Sequence, residues 1–225
     1  MQEKCVAFNK CNHIDCDKEY CVKKFRIEKL LDLTNLDKAD RYDIPLWFDQ
    51  DGTDSEEFHY LQATQKRIIP FVEQGGGLFI HSTGCGNGKS SWAKKLLREY
   101  IHQVWHKVPV DECCALYVNV PRFLLELKLN ISQKSEYAEY VKNNIINADL
   151  VVFDEVGTKA LTSFEFEHLL MIVEARVSAG KANIYTSNLS REDLLKTVGE
   201  RLYSRIVNLS QDVEFRGADK RGLIK

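Results

Sequence analysis

Apolar and polar residues alternate along most of this chain with two different periods. Short apolar runs occur at 78–81, 115–120, 150–153 and 182–186, with a weaker one at 213–215. Longer stretches in which apolar residues return every three or four positions occur at 59–73, 93–104, 121–147, 163–178 and 190–206. The first pattern is typical of buried strands and the second of amphipathic helices. Their alternation predicts an α/β fold, with a parallel sheet flanked by helices on both faces.

The N-terminal part follows a different pattern. Residues 26–36 carry apolar side chains at helical spacing, whereas the acidic stretch 49–57 contains Gly52 and predicts a surface loop. Four cysteines fall within the first 21 residues. We therefore predict a small cysteine-rich module, a linker and an α/β domain, at 1–36, 37–58 and 59–225.

Composition narrows the classes of function. Hydrophobic residues make up 44% of the 225 residues, which is enough for a packed core, and the formal net charge is −2. A contact with DNA would therefore need a local basic surface. No apolar run approaches the ~18–20 residues that cross a membrane, and the polar N-terminus does not have the pattern of a signal peptide. We expect a cytoplasmic protein with no membrane partner.

The strongest chemical signal is a glycine-rich segment between the first predicted strand and its helix. It is named the phosphate loop here and consists of Thr83, Gly84, Cys85, Gly86, Asn87, Gly88, Lys89, Ser90 and Ser91. It matches the pattern G-x-x-x-x-G-K-[ST] except at its first position, where Thr83 replaces glycine. In such loops backbone N–H groups bind phosphates, the lysine reaches the β- and γ-phosphates, and the serine binds Mg²⁺. The alternative is a glycine-rich turn with an incidental lysine, which would leave the strand and helix on either side unexplained.

Two acids follow the third predicted strand. Asp154 and Glu155 come directly after the apolar run 150–153. An acid at the end of a strand near a phosphate loop can hold the Mg²⁺ shell, and we assign this role to Asp154. Glu155 can orient or deprotonate the attacking water. With the phosphate loop, the pair predicts binding and hydrolysis of ATP; alone, it would be a pair of solvated acids.

Further polar residues lie after the fourth predicted strand. Asn188 is positioned to reach the γ-phosphate or the water, although a helix cap at Asn188 or Ser190 is the alternative. Arg201 and Arg205 are four residues apart and share one helical face. One of them could complete the ATP site of a neighbouring subunit; the alternative is a surface face held by salt bridges.

Together these motifs resemble the AAA+ helicase loaders of the DnaC/DnaI type, a family that includes the IstB-like transposition ATPases. The resemblance covers about residues 60–222. Besides the phosphate loop, it rests on LVVFDEVG at 150–157, IYTSNLS at 184–190, ERLYSRI at 200–206 and FRGADKR at 215–221. The cysteine-rich start is similar to that of phage-type members.

The resemblance implies an AAA+ ATPase fold and specific roles. Asn188 would be the sensor-1 residue, Arg205 the arginine finger with Arg201 beside it, and Arg221 a sensor-2-like arginine. The family implies self-association around ATP, binding of single-stranded DNA, and loading of a replicative DNA helicase in a bacterial or phage-infected cell. Basic residues between the second and third strands would suit the DNA: Arg122, Lys128, Lys134 and Lys142.

The N-terminal cysteines predict a metal site. Cys5, Cys11, Cys16 and Cys21 are separated by five, four and four residues. A four-cysteine zinc site would stabilise a segment too short to fold alone. An iron–sulfur cluster and scattered reduced cysteines are the alternatives. By the resemblance, this module would bind the helicase.

Several other functions are alternatives to a helicase loader, and the sequence separates the first of them poorly from a loader. An IstB-like transposition ATPase would share the fold, and a small-molecule kinase would share the phosphate loop without needing the acids and arginines. A zinc-dependent adaptor with a vestigial ATPase would not need every catalytic position to be filled. An initiator of the DnaA kind is less expected because the chain ends soon after the ATPase core.

Overall fold

Five parallel strands form the centre of this computed structural model, which describes residues 21–42, 44, 46, 52–130 and 134–220. The strands are β1 (Gly77–His81), β2 (Ala115–Asn119), β3 (Leu150–Asp154), β4 (Ala182–Ser187) and β5 (Gln211–Glu214). The helices are α1 (Val22–Asp32), α2 (Ser55–Lys66), α3 (Ile68–Glu73), α4 (Lys89–Val104), α5 (Val120–Leu129), α6 (Glu136–Asn144), α7 (Ser163–Ser178) and α8 (Arg191–Ile206). Of these described helices, none is both long and apolar enough to cross a membrane.

The order of the strands decides which residues meet. The sheet runs β2-β3-β4-β1-β5, and every neighbouring pair is parallel. Strand β4 therefore lies between β1 and β3. Because carboxyl ends of parallel strands share one edge, the residues that follow β1, β3 and β4 are brought together there.

The sheet has a hydrophobic core on each face. Leu78 and Ile80 of β1 pack with α1 and α4, whereas Phe79 between them packs with α7 and α8. This alternation is the two-residue period of a strand buried on both faces. The predicted α/β fold, with a parallel sheet and helices on both sides, is confirmed.

Some predicted boundaries are wrong. Helix α2 begins at Ser55, so the predicted loop at 49–57 is too long, and the predicted helix at 59–73 is two helices that meet at Arg67. Pro70 accounts for the break, because its ring has no N–H for the carbonyl of Lys66 and would clash with it in a continuous helix. The stretch 121–147 was predicted to be mostly helical, and it contains most of α5 and all of α6, which is capped by Ser135.

Helix α1 packs onto the sheet domain. Its residues Ile27, Leu30 and Leu31 are buried in the same core as α4, and Arg26 Nη2 donates to the carbonyl of Val108 at 2.7 Å. The described part of the predicted N-terminal module thus shares the core of the α/β domain. The domain boundaries at 36 and 58 stay predictions.

A buried arginine joins α7 to the segment before β3 and to the start of β4. Arg176 is fully buried and donates to the carbonyls of Ile145, Ala148 and Ala182 and to Asn183 Oδ1, at 2.6–2.7 Å. Burial lowers the pKa of Arg176 to about 10, so it keeps its charge at neutral pH. All four acceptors are uncharged, and the cation is stabilised by their dipoles.

Replacing Arg176 with methionine should lower the free energy of unfolding by about 3 kcal/mol, because four buried acceptors lose their donor. Chemical denaturation checks this. The matched control is Arg122→Met, since Arg122 is exposed on α5 and should change stability by less than about 1 kcal/mol. Equal losses in the two variants would contradict the structural role of Arg176.

Candidate functional site

The phosphate loop connects β1 to α4 in the predicted place. Gly86 and Gly88 have φ values of 73° and 102°, a left-handed region that favours glycine. Thr83, Gly84 and Cys85 are exposed at its tip. The N-terminal turn of α4 carries Lys89, Ser90 and Ser91, so its free N–H groups and positive dipole end are directed at the loop. This arrangement is suited to binding an anion.

The loop is held together by its own polar side chains. Lys89 Nζ donates to the carbonyl of Gly84 at 2.7 Å and to Asn87 Oδ1 at 3.0 Å. Asn87 Nδ2 and the Gly84 N–H both donate to Ser82 Oγ. Asn87 and Ser82 are buried, and sequence reasoning did not identify Ser82. The side chain of Lys89 thus already extends across the loop in which it is predicted to bind phosphates.

The carboxylate of Asp154 lies at the centre of the site. Ser90 Oγ donates to Asp154 Oδ1 at 2.7 Å, which links α4 to the end of β3. The Thr186 hydroxyl donates to the same oxygen, and the Tyr117 hydroxyl donates to Oδ2. Three elements therefore converge on one carboxylate that is only 3% exposed. Sequence reasoning missed Thr186 and Tyr117; their positions near the ends of β4 and β2 were the available signal.

The phenol of Tyr117 acts as a permanent donor. Burial, and next the charge of Asp154, raise the pKa of Tyr117 well above its usual value. The hydroxyl therefore keeps its proton at all physiological pH values. It donates to Oδ2 of Asp154, while Ser90 and Thr186 donate to Oδ1.

Glu155 is oriented by contacts on both sides. Its φ of 62° is uncommon for a residue with a side chain and strains the backbone. Its N–H donates to Thr186 Oγ1 at 3.0 Å, and Asn119 Nδ2 donates to its carboxylate at 2.8 Å. The other amide atom, Asn119 Oδ1, accepts the N–H of Arg122 at 3.0 Å and caps α5. Asn119, also missed from sequence, thus joins Glu155 to the start of α5.

Sequence comparison finds bacterial replication proteins. The replicative helicase loader DnaC of Escherichia coli K12 is 25% identical over 139 residues, which are 60% of this chain and 54% of DnaC. The chain thus spans about half the length of the relatives that it matches. No family model matches it.

Comparison of folds finds the same group. A crystal structure of the DnaC helicase loader matches with a TM-score of 0.60 and 18% identity, over 76% of this chain and 94% of that one. DnaI matches with a TM-score of 0.58 and 19% identity, over 80% and 88% of the two chains. DnaA from Aquifex aeolicus, bound to AMPPCP, matches with a TM-score of 0.59 and 16% identity, over 76% and 48%. At these identities the structures show the fold alone.

The chain thus has the AAA+ core fold and is similar in sequence and fold to helicase loaders of the DnaC/DnaI type. The predicted AAA+ fold and the predicted resemblance are confirmed.

The donors in the site of this AAA+ chain fit Mg²⁺. The hydroxyl of Ser90 and the carboxylate of Asp154 are hard oxygen ligands and already lie within hydrogen-bond distance of each other. The buried carboxylate has three hydroxyl partners and no positive one among the described residues. A bound cation would supply the missing positive charge.

The other predicted site residues are placed as follows. Asn188 is exposed just after β4, and it is Thr186 that contacts the acids. Arg201 and Arg205 both pair with Glu174 on α7, at 3.2 and 3.7 Å, and their side chains are 67% and 41% exposed. They face outward rather than into the phosphate loop of their own chain. The roles predicted for these residues stay predictions.

Four predicted residues lie outside the described residues: Cys5, Cys11, Cys16 and Arg221. Cys21 is described, and its sulfur accepts the N–H of Lys24 at 3.4 Å as the cap of α1. In the part of the chain that the structure describes, no cluster of three or more His, Cys, Asp or Glu residues is arranged to hold a metal. The zinc site stays a prediction.

Replacing Asn119 with alanine should change the rate of ATP hydrolysis by about tenfold or more while leaving the affinity for ATP within about twofold. Asn119 contacts the predicted catalytic acid, whereas phosphate binding depends on the loop. Steady-state turnover and equilibrium nucleotide binding measure the two effects. The control is Asn130→Ala, which removes a similar amide from the far end of α5. Equal turnover in both variants would contradict a role for Asn119 in orienting Glu155.

Proposed function

We propose that this chain is an ATP-dependent loader that delivers a replicative DNA helicase onto single-stranded DNA during replication. The supporting observation is the meeting of Lys89, Ser90, Asp154 and Glu155 at one edge of the sheet, in a chain of the DnaC/DnaI type. The relatives named as helicase loaders supply the helicase as the partner. A bacterial or phage-infected cell is the proposed setting.

ATP is proposed to bind with its phosphates against the phosphate loop and the start of α4. Lys89 would exchange its contacts with Gly84 and Asn87 for the β- and γ-phosphates. Mg²⁺, held by Ser90 and Asp154, would neutralise charge that develops on the phosphates. Glu155 would hold the attacking water and accept its proton.

This proposal predicts separable losses at two residues. Lys89→Ala should weaken ATP binding by about 100-fold or more, because it removes a buried cation from the phosphates. Glu155→Gln should keep the affinity and lower turnover by about 100-fold or more. Nucleotide binding and phosphate release measure both, with the exposed residues Lys196→Ala and Glu192→Gln as controls. Tight ATP binding by Lys89→Ala would refute the loop assignment.

The wild-type chain and Lys89→Ala also test the loader function. Wild-type chain should co-purify with its cognate replicative helicase and place it on circular single-stranded DNA in the presence of ATP. Lys89→Ala should lose loading. Full ATPase activity with no helicase bound and no loading would contradict a loader and favour a transposition ATPase, whereas transfer of phosphate to a small molecule would establish a kinase.

Self-association is proposed to complete the ATP site. Arg205 and Arg201 are exposed on α8, and both cations share the single carboxylate of Glu174. The pair therefore carries a net positive charge toward solvent. We propose that Arg205 contacts ATP bound to a neighbouring subunit and that Arg201 supports it.

Arg205→Ala should lower turnover by about 1000-fold while sparing ATP affinity. A mixture of Arg205→Ala with Lys89→Ala should recover activity, because the second variant can donate its arginine to the intact loop of the first. Lys196→Ala, on the same helix, is the control. A monomer with full activity, or a mixture that recovers no ATP turnover, would contradict a site shared between subunits.

Single-stranded DNA is the proposed second partner. Arg122 lies 4.1 Å from the ring centre of Tyr137 and is 60% exposed, which forms a cation and aromatic pair on the surface of α5 and α6. A DnaA structure of similar fold was solved with AMPPCP and single-stranded DNA. Arg122, Lys128 and Lys142 each pair with an acid. Arg122 and Tyr137 are the better candidates for base stacking because a guanidinium group and an aromatic ring are planar.

The cysteine-rich start is proposed to bind zinc and to contact the helicase. Cys5, Cys11, Cys16 and Cys21 would provide four thiolates, the usual set for a structural zinc site. Zinc content of the purified chain tests this part of the proposal, with Cys85→Ser as the control cysteine.

A further inference from the structure

Asp54 is the N-cap residue of α2, but its side chain does not cap the helix. It occupies the N-cap of α2 in a left-handed conformation, with φ 62°, but its carboxylate accepts no N–H from α2. Instead, Oδ1 accepts the N–H of Arg216 at 2.7 Å and Oδ2 accepts the N–H of Gly217 at 2.8 Å. The residue is 7% exposed. This buried acid therefore binds a segment that is more than 160 residues away in the chain.

The segment that Asp54 holds runs from the sheet to the phosphate loop. It is named the strap here and consists of residues 215–220. The N–H of Phe215 donates to the carbonyl of His81 at 2.9 Å, at the end of β1, and the ring of Phe215 is buried. At its other end, the N–H of Lys220 donates to the carbonyl of Gly86 at 3.0 Å. The strap thus follows the phosphate loop from its start to its middle.

We propose that the strap, tied down by Asp54, holds the phosphate loop in the shape that binds phosphate, and that Asp54 is a positioning residue for nucleotide binding. This inference rests on the nucleotide site proposed above. Asp54 would act through Arg216 and Gly217 and would not touch ATP itself.

The physical basis is the orientation of one peptide group. A trans peptide directs its C=O and its N–H to opposite sides. When the carbonyl of Gly86 is held by Lys220, the N–H of Asn87 is directed away from the strap. Were this peptide to turn over, an oxygen would replace a donor and repel phosphate. Gly86 and Gly88 allow many conformations, so an external contact has a large influence on the loop.

The opposing interpretation is that Asp54 only stabilises the start of α2. Substitutions can separate the two. Glycine accepts φ 62° without strain, so Asp54→Gly removes the carboxylate and preserves the backbone of α2. Asp54→Asn keeps one acceptor oxygen and also tolerates this conformation. Glu56→Gln is the matched control, since it removes one exposed negative charge from the same helix turn.

The first measurement is the dissociation constant for ATP, at a temperature where all variants are folded. Asp54→Gly should bind ATP about tenfold more weakly than Glu56→Gln, and Asp54→Asn should lie between them. Gly217→Pro removes the second N–H from the strap itself and should weaken binding similarly. Combining it with Asp54→Gly should add little, because both changes break the same contact.

The second measurement is the rate of tryptic cleavage after Arg216, which is exposed but tethered by its N–H. Without nucleotide, Asp54→Gly should be cleaved about tenfold faster than Glu56→Gln. Because coupling is reciprocal, ATP should slow cleavage of the wild type and should not slow cleavage of Lys89→Ala.

Two results would overturn the proposal for the strap and leave the proposed function intact. One is an ATP affinity of Asp54→Gly equal to that of Glu56→Gln, and the other is cleavage of the wild type that does not respond to bound ATP. A wild-type chain that fails to bind ATP overturns the proposed function and, with it, the role of the strap. The failures of the two proposals are therefore distinguishable.

Discussion

The carboxylate of Asp154 is the group on which the arrangement of the site depends. Its oxygens accept hydrogen bonds from hydroxyl groups at the start of α4, on β2 and on β4. A single buried carboxylate therefore fixes three elements relative to the end of β3. A buried carboxylate is costly unless its oxygens are satisfied. The packing that supplies these hydroxyls therefore also fixes the distance between the phosphate loop and the acids.

Contacts extend from this centre to the surfaces where partners would bind. Thr186 connects Asp154 to the backbone of Glu155, and Asn119 connects Glu155 to the first turn of α5. The side chain of Asn119 is therefore a direct link between α5 and this acid. On the opposite side, the strap connects Asp54 to Gly86. The acids and the loop are thus each supported by an element outside the phosphate-binding motif.

The arginines of α8 have a different environment. Glu174 balances only one of the two positive charges of Arg201 and Arg205, and both remain accessible. A catalytic cation within its own subunit would be expected to contact the loop or the acids. These observations are consistent with a site that is completed between subunits, as proposed for this AAA+ chain.

The sequence by itself determined the alternation of strands and helices, the phosphate loop and the acid pair, because periodicity and short motifs are local properties. It also indicated the resemblance to helicase loaders of the DnaC/DnaI type, which the comparisons confirmed. Only the tertiary structure identified Thr186, Tyr117, Asn119 and Asp54, since their partners are 31 or more residues away in the chain. The order of the strands decides these contacts: β4 lies between β1 and β3, and that order results from packing on both faces of the sheet, which no single segment encodes.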